Sequence, residues 1–157
     1  MPELHIRRYL PSDQEAVWRL HVLASQEQGV YSGSGYWDQD IREIEQSYLS
    51  LNGDFLTGWL GDRLVTMGGL LPWPGHRAEV KRLQVHPEFW PQGYGKIMLA
   101  ALEQRAGELG YHTIHIEASS IQLRIRHLLE RCGFANVGQI ERSDAILLIY
   151  EKLLNSD

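Results

Sequence analysis

Hydrophobic positions recur along the chain with two periods. Leu4 to Tyr9 reads as a first strand. After Pro11, with Ser12 or Asp13 as N-cap, Val17, Leu20 and Ala24 return at helical spacing beside His21. They predict a helix over about 13–28. A second helix, capped by Asp38 or Asp40, is expected to reach Tyr48–Leu51. The turn signals "NGD" at 52–54 and "GD" at 61–62 bracket two short apolar runs, Phe55–Leu60 and Arg63–Leu71, which predict a hairpin. "LPWPGHR" breaks the pattern, and a strand over Ala78–Val85 follows. A helix then runs to about Leu109, with Gly110 placed as a C′ glycine. In "YHTIHIEAS", Ile114, Ile116 and Ala118 share one side of a strand, with His115 and Glu117 on the other. Ile121–Arg131 is helical, "CGF" stops it, and two strands close the chain. The order is βααβββαβαββ, a mixed α/β sheet with helices on both faces. With no repeat and no linker, residues 1–157 are expected to form a single domain.

Composition narrows the function. At 43% hydrophobic and 22% charged the chain is ordinary for a soluble globular protein. A net charge of −5 argues against a nucleic-acid-coating protein, which needs a basic face. Cys132 is the single cysteine, which excludes a disulfide framework and fits a reducing compartment. No apolar run approaches the roughly 20 residues that span a bilayer. The start, "MPELHIRRYL", has no signal-peptide hydrophobic region. A cytoplasmic chain with no membrane partner is the expectation.

The stretch "VHPEFWPQGYGKIML" (85–99) carries the first candidate chemistry. Backbone N–H groups at a helix start are unpaired and partly positive. Glycines there let a phosphate approach closely. Gly93 and Gly95 suit this role, and Lys96 adds charge. A P-loop is excluded, because Ile97 follows Lys96. A dinucleotide fingerprint is excluded, because Met98 stands where a third glycine is needed. The glycines alone leave two readings open, a tight turn without a ligand and a phosphate cradle.

A longer match bears on that choice. "AEVKRLQVHPEFWPQGYGKIMLAALEQRAGELGY" resembles the central motif of the GNAT superfamily of acetyl-CoA-dependent N-acetyltransferases. "HIEASSIQLRIRHLLERCGF" resembles that family's later strand–helix–Gly-Phe segment, and the element order agrees. The resemblance implies the GNAT fold: a mostly antiparallel central sheet, splayed at the cofactor site, with helices on both faces. It implies acetyl-CoA as co-substrate, held by Trp90, Pro91, Gln92, Gly93, Tyr94, Gly95 and Lys96. Leu83, Gln84 and Val85 of the preceding strand would bind it too. Gln122, where the family usually has Asn, would complete the set. Three positions depart from the pattern. Trp90 replaces the loop's leading Gln or Arg, Pro91 has no N–H to donate, and Leu129 replaces the tyrosine that often protonates the thiolate. Tyr150 and Tyr36 are candidate substitutes.

The implied reaction is direct attack by an amine on the acetyl thioester. It needs a general base and a backbone donor for the carbonyl oxygen. Glu79 and Glu117 match positions that serve as base in different branches of the family. Salt bridging to Lys81 or Arg82 is the competing reading for Glu79, and a solvated strand position for Glu117. Cys132 reads as structural. His112 and His115 belong to no metal motif, and no metal site is expected. The acceptor is expected to be a small-molecule primary amine, met by Tyr31, Tyr36, Trp37 and Asp38 through cation–π and charge pairing. A non-catalytic acyl-CoA-binding or regulatory module on the same fold is the alternative, as is a protein N-terminal or side-chain acetyltransferase. The resemblance also implies a possible homodimer.

Overall fold

The computed structural model describes residues 3–29, 38–142 and 145–154. Strands β1 (His5–Arg8), β2 (Asp54–Leu60), β3 (Arg63–Trp73), β4 (Arg77–Val85), β5 (Thr113–Ser119), β6 (Ala135–Arg142) and β7 (Ala145–Leu153) form one sheet. Its order is β1-β2-β3-β4-β5-β7-β6. Helices α1 (Gln14–Glu27), α2 (Gln39–Arg42), α3 (Tyr94–Glu108) and α4 (Leu123–Arg131) pack on it. The element order is the one the periodicity predicts.

Two apolar clusters form the core. Met98, Leu99 and Leu102 of α3, with Ile125 and Leu129 of α4, pack against one region of the sheet. Val17 and Leu20 of α1 meet Ile41, Ile44, Tyr48, Phe55 and Met67 in the other. Gly110 ends α3 with φ +97°, as a C′ glycine does.

Two local expectations change. The second helix is a single α turn, Gln39–Arg42, followed by a π turn over Glu45–Leu49. The π turn leaves Tyr48 fully buried, with its hydroxyl donating to Asp40. The break at "LPWPGHR" is shorter than its prolines imply. β3 runs through Pro72 to Trp73, and β4 begins at Arg77.

Every neighbouring pair of strands is antiparallel except β4 and β5. Those two run parallel and pair only over Arg77–Glu79 and Thr113–His115. Beyond Glu79, β4 stays with β3, and beyond His115, β5 stays with β7. The two strands therefore part, and a wedge opens in the middle of the sheet. A bulge accompanies the parting. Between the Met67–Gln84 and Gly69–Lys81 pairs, β4 carries one extra residue, and Arg82 there has φ +59°.

Candidate active site

The wedge encloses a cavity of about 530 Å³. Glu79 of β4 and Glu117 of β5 line its base, and the buried His115 of β5 is bonded to Glu117. His115 is the register partner of Glu79, which brings side chains 36 positions apart in sequence together. His115 is buried and stacked on Trp73, with centroids 4.3 Å apart. Its Nε2 lies 3.0 Å from Glu117 Oε2 and its Nδ1 lies 2.8 Å from Glu151 Oε2. Arg77 holds Glu151 in turn. A carboxylate only accepts, so each of these contacts requires a shared proton. His115 was not among the sequence candidates. Its signal was the alternation that puts it beside Glu117, and the β4–β5 register supplies the rest.

The two candidate bases stand in different environments. Glu117 is tied to His115. Glu79 makes no side-chain hydrogen bond or ion pair among the described residues. Burial pushes the Glu79 carboxyl above its ordinary value; Lys81 pulls it down and Glu117 adds to the rise. The expected alternative for Glu79, a bridge to Lys81 or Arg82, is not what the structure has: Lys81 makes no ion pair among the described residues, and Arg82 turns to Asp40. Ligand atoms of Glu79, His115 and Glu117 lie within 4.8 Å of one another. Both His115 nitrogens are already engaged with carboxylates, so neither is open to a cation while those contacts stand.

The opposite wall is a buried polar network. His21 Nε2 donates to Asp38 at 3.0 Å. Burial lowers the His21 pKa and Arg82 lowers it further, against the pull of Asp38, so the ring is neutral. Nδ1 then accepts from Gln84 Nε2 at 3.3 Å and from the Ser25 hydroxyl at 3.4 Å. Arg82 closes on Asp40 with two hydrogen bonds, 2.9 and 2.6 Å, and lies 3.7 Å from Asp38. Asp38, expected to offer its charge to the acceptor, does line the wedge, but it is buried and already engaged by His21 and Arg82. Tyr31, Tyr36 and Trp37 lie outside the described residues.

A second cavity, of about 460 Å³, opens between the start of α3 and α4. Trp90, Pro91, Gly93, Gly95 and Lys96 form one side, and Arg124, His127, Leu128, Arg131 and Cys132 the other. Arg124, His127 and Arg131 of α4 were not sequence candidates. Helical spacing on the exposed face of "LRIRHLLER" is their signal. The two glycines have different reasons. Gly93 sits at φ +81° as N-cap of α3, where a side chain is strained. Gly95 allows close packing: a Cβ there would meet Leu128 at 3.1 Å and Val85 at 3.2 Å. The first bond into α3 runs from Ile97 N–H to Gly93 O, so the amides of Tyr94, Gly95 and Lys96 start the helix without intrahelical partners. His86 caps the preceding 3-10 turn, with Nδ1 accepting from the Glu88 amide at 3.2 Å.

The expected cofactor residues thus divide. Leu83, Gln84 and Gln122 line the wedge with Glu79 and Glu117. Trp90, Pro91, Gly93, Gly95 and Lys96 line the basic cavity. Val85, Gln92 and Tyr94 line neither. Val85 is fully buried, Gln92 is exposed, and Tyr94 rests against Phe89. Gln122 accepts from the Ser119 amide at 2.8 Å and donates to Gln28 at 3.3 Å, which ties the start of α4 to the end of α1. Tyr150, a candidate acid, is fully buried and lines neither cavity; its hydroxyl donates to Glu130. Leu129 belongs to the core. Burial raises the Cys132 thiol pKa, with Glu103 adding to it, which keeps the thiol protonated at neutral pH.

Residues 16–134 match the acetyltransferase (GNAT) family. The chain belongs to that family. Human N-acetyltransferase 8 is 32% identical to this GNAT chain over 106 residues, covering 64% of it and 47% of the human protein. The chain spans about half the length of most of the curated relatives it matches. An acetyltransferase of the GNAT family from Staphylococcus aureus superposes with a TM-score of 0.86 at 16% identity, covering 98% of this chain and 100% of its own. The yncA protein of Salmonella typhimurium, solved with its cofactor acetyl-CoA, superposes with a TM-score of 0.77 at 17% identity, covering 98% and 95%. At these identities the superpositions establish the GNAT fold. The parted β4 and β5 strands are the splay that the GNAT resemblance implied.

Proposed function

We propose that the chain is an acetyl-CoA-dependent N-acetyltransferase acting on a primary amine of a small molecule. The observation that carries this reading is the wedge itself, with a half-buried, unpaired carboxylate at its base and a basic cavity at the α3 glycine turn. Family membership, the name of the human relative and the acetyl-CoA in the Salmonella protein support it.

The residues fit the cofactor. Phosphates suit the open amides of Tyr94, Gly95 and Lys96, with the Lys96, Arg124 and Arg131 charges beside them. The pantetheine arm suits the edge of β4 at Leu83–Val85, which β5 leaves unpaired. Bound there, acetyl-CoA supplies an acetyl group activated as a thioester. Glu79 takes a proton from the acceptor ammonium, which frees the nitrogen lone pair for attack. A β4 amide near Leu83 or Val85 donates to the carbonyl oxygen as it gains charge. Glu117 and His115 hold a second carboxylate beside Glu79 and keep the ammonium oriented. No tyrosine hydroxyl among the described residues lines the wedge, which leaves Tyr36 or water to protonate the leaving thiolate.

Calorimetry or a melting titration with acetyl-CoA and CoA tests the cofactor half. A ligand at a hundred times its dissociation constant raises stability by about 2.7 kcal/mol. Lys96→Ala or Arg124→Ala is expected to weaken CoA binding about tenfold, the loss of one charge-assisted phosphate contact. Binding without acetylation of any amine would point to the non-catalytic acyl-CoA-binding alternative. No binding at millimolar ligand would contradict the cofactor assignment.

A further inference from the structure

Among the described residues, six charged side chains line the wedge: Asp38, Glu79, Lys81, Arg82, Glu117 and Arg142. Three are committed to partners. Asp38 is held by His21 and Arg82, Arg82 by Asp40, and Glu117 by His115. Glu79, Lys81 and Arg142 have no hydrogen bond or ion pair from their side chains among the described residues. Two of those three are cations, in a cavity where Asp38 is already held by His21 and Arg82.

Their placement is ordered. Glu79 and Lys81 are two apart on β4 and share its face. Arg142 ends β6, in register with Ala145 at the start of β7, and enters the wedge from the hairpin. Negative charge lies at the base, where Glu79 and Glu117 meet. Positive charge lies on the walls, one group on β4 and one on β6. Lys81 and Arg142 line the same cavity as Glu79.

We propose that the acceptor is an amine that also carries a carboxylate, as a free amino acid does, with its ammonium at Glu79 and Glu117 and its carboxylate at Lys81 and Arg142. This rests on the acetyltransferase reading of the same wedge and names the substrate class within it. A polyamine would bring a second ammonium to two unpaired cations, a like-charge contact that selects against it. A peptide N-terminus carries a neutral amide where a free amino acid carries its carboxylate. It leaves Lys81 and Arg142 unpaired. A bidentate arginine–carboxylate contact is the strong form of such recognition.

The test compares free amino acids with their carboxamides, and with linear diamines. Each is offered with acetyl-CoA to the full chain, and thiol release and acetylated product are read. The acids are expected to exceed their amides at least about tenfold in kcat/KM, the scale of one charge-assisted hydrogen bond. Arg142→Gln and Lys81→Met are each expected to shrink that acid-to-amide ratio severalfold, through KM for the acids. Equal use of acids and amides, a preference for diamines, or a ratio unchanged in both variants would overturn the inference while leaving the acetyltransferase reading intact. A protein that neither binds acetyl-CoA nor acetylates any amine would bring down that reading, and this inference with it.

Discussion

Glu79→Gln is expected to lower kcat about a hundred- to ten-thousandfold, the range over which a positioned general base contributes. Acetyl-CoA affinity is expected to stay near that of the parent, because Glu79 does not line the basic cavity. The pH profile carries the same assignment. The base must be ionised to accept a proton, and burial first of all raises its pKa. Thus kcat/KM falls on the acid side at a pH above the ordinary glutamate range, and Glu79→Gln loses that limb. Stability moves the other way. A carboxyl whose pKa is raised by folding supports the fold at low pH and loses that contribution as pH rises through the folded value. Glu79→Gln is therefore expected to melt slightly higher than the parent at neutral pH. A purely structural glutamate would give a lower melting temperature and an unchanged acid limb.

The largest stability loss is expected at Arg82. Its guanidinium sits in the β4 bulge, one-fifth exposed, with two hydrogen bonds to Asp40 and Asp38 at 3.7 Å. Burial works against Asp40 ionisation, but the Arg82 hydrogen bonds and charge, with the Tyr48 hydroxyl, hold its pKa below the ordinary value. Arg82→Ala leaves the largely desolvated Asp40 with the Tyr48 hydroxyl but without its cation. Breaking a buried pair in this way costs about 3–5 kcal/mol. In a chain of this size that lowers the melting temperature on the order of 10 °C. The sign with pH follows from the depressed pKa. The contribution of Asp40 is present above its unfolded pKa and lost as pH falls through the folded one. The deficit of Arg82→Ala is thus expected to be full at neutral pH and to narrow in acid. A variant melting within 2 °C of the parent at pH 7, by the same scale, would mean that solvent reaches the pair.

The fold was largely legible because its signals are local. Strand alternation in "YHTIHIEAS", the turns at 52–54 and 61–62, and the glycines at 93, 110 and 133 each act over a few residues, and the structure keeps them. The second helix was harder. Its apolar spacing at Ile41, Ile44 and Tyr48 suits a continuous helix as well as the α turn and π turn that form. The site was legible where the family motif lies in one stretch, as at Gly93–Lys96. It was not legible where two distant stretches meet. His115 becomes part of it through the parallel register with Glu79, and Arg142 through the pairing of β6 with β7. Asp38 was legible as a charge near the site. That His21 and Arg82 hold it depends on how α1 and the β4 bulge pack together. These contacts change the charge balance of the wedge, and with it the kind of amine the wedge suits.

The most direct measurement is transfer of an isotope-labelled acetyl group. The full chain is incubated with labelled acetyl-CoA and a panel of amines, with Glu79→Gln in parallel, and thiol and products are quantified by mass. The account predicts labelled N-acetyl product in amounts equal to the thiol released by the parent, and a small fraction of that from the variant. Thiol release without labelled amine, or equal transfer by both proteins, would contradict it.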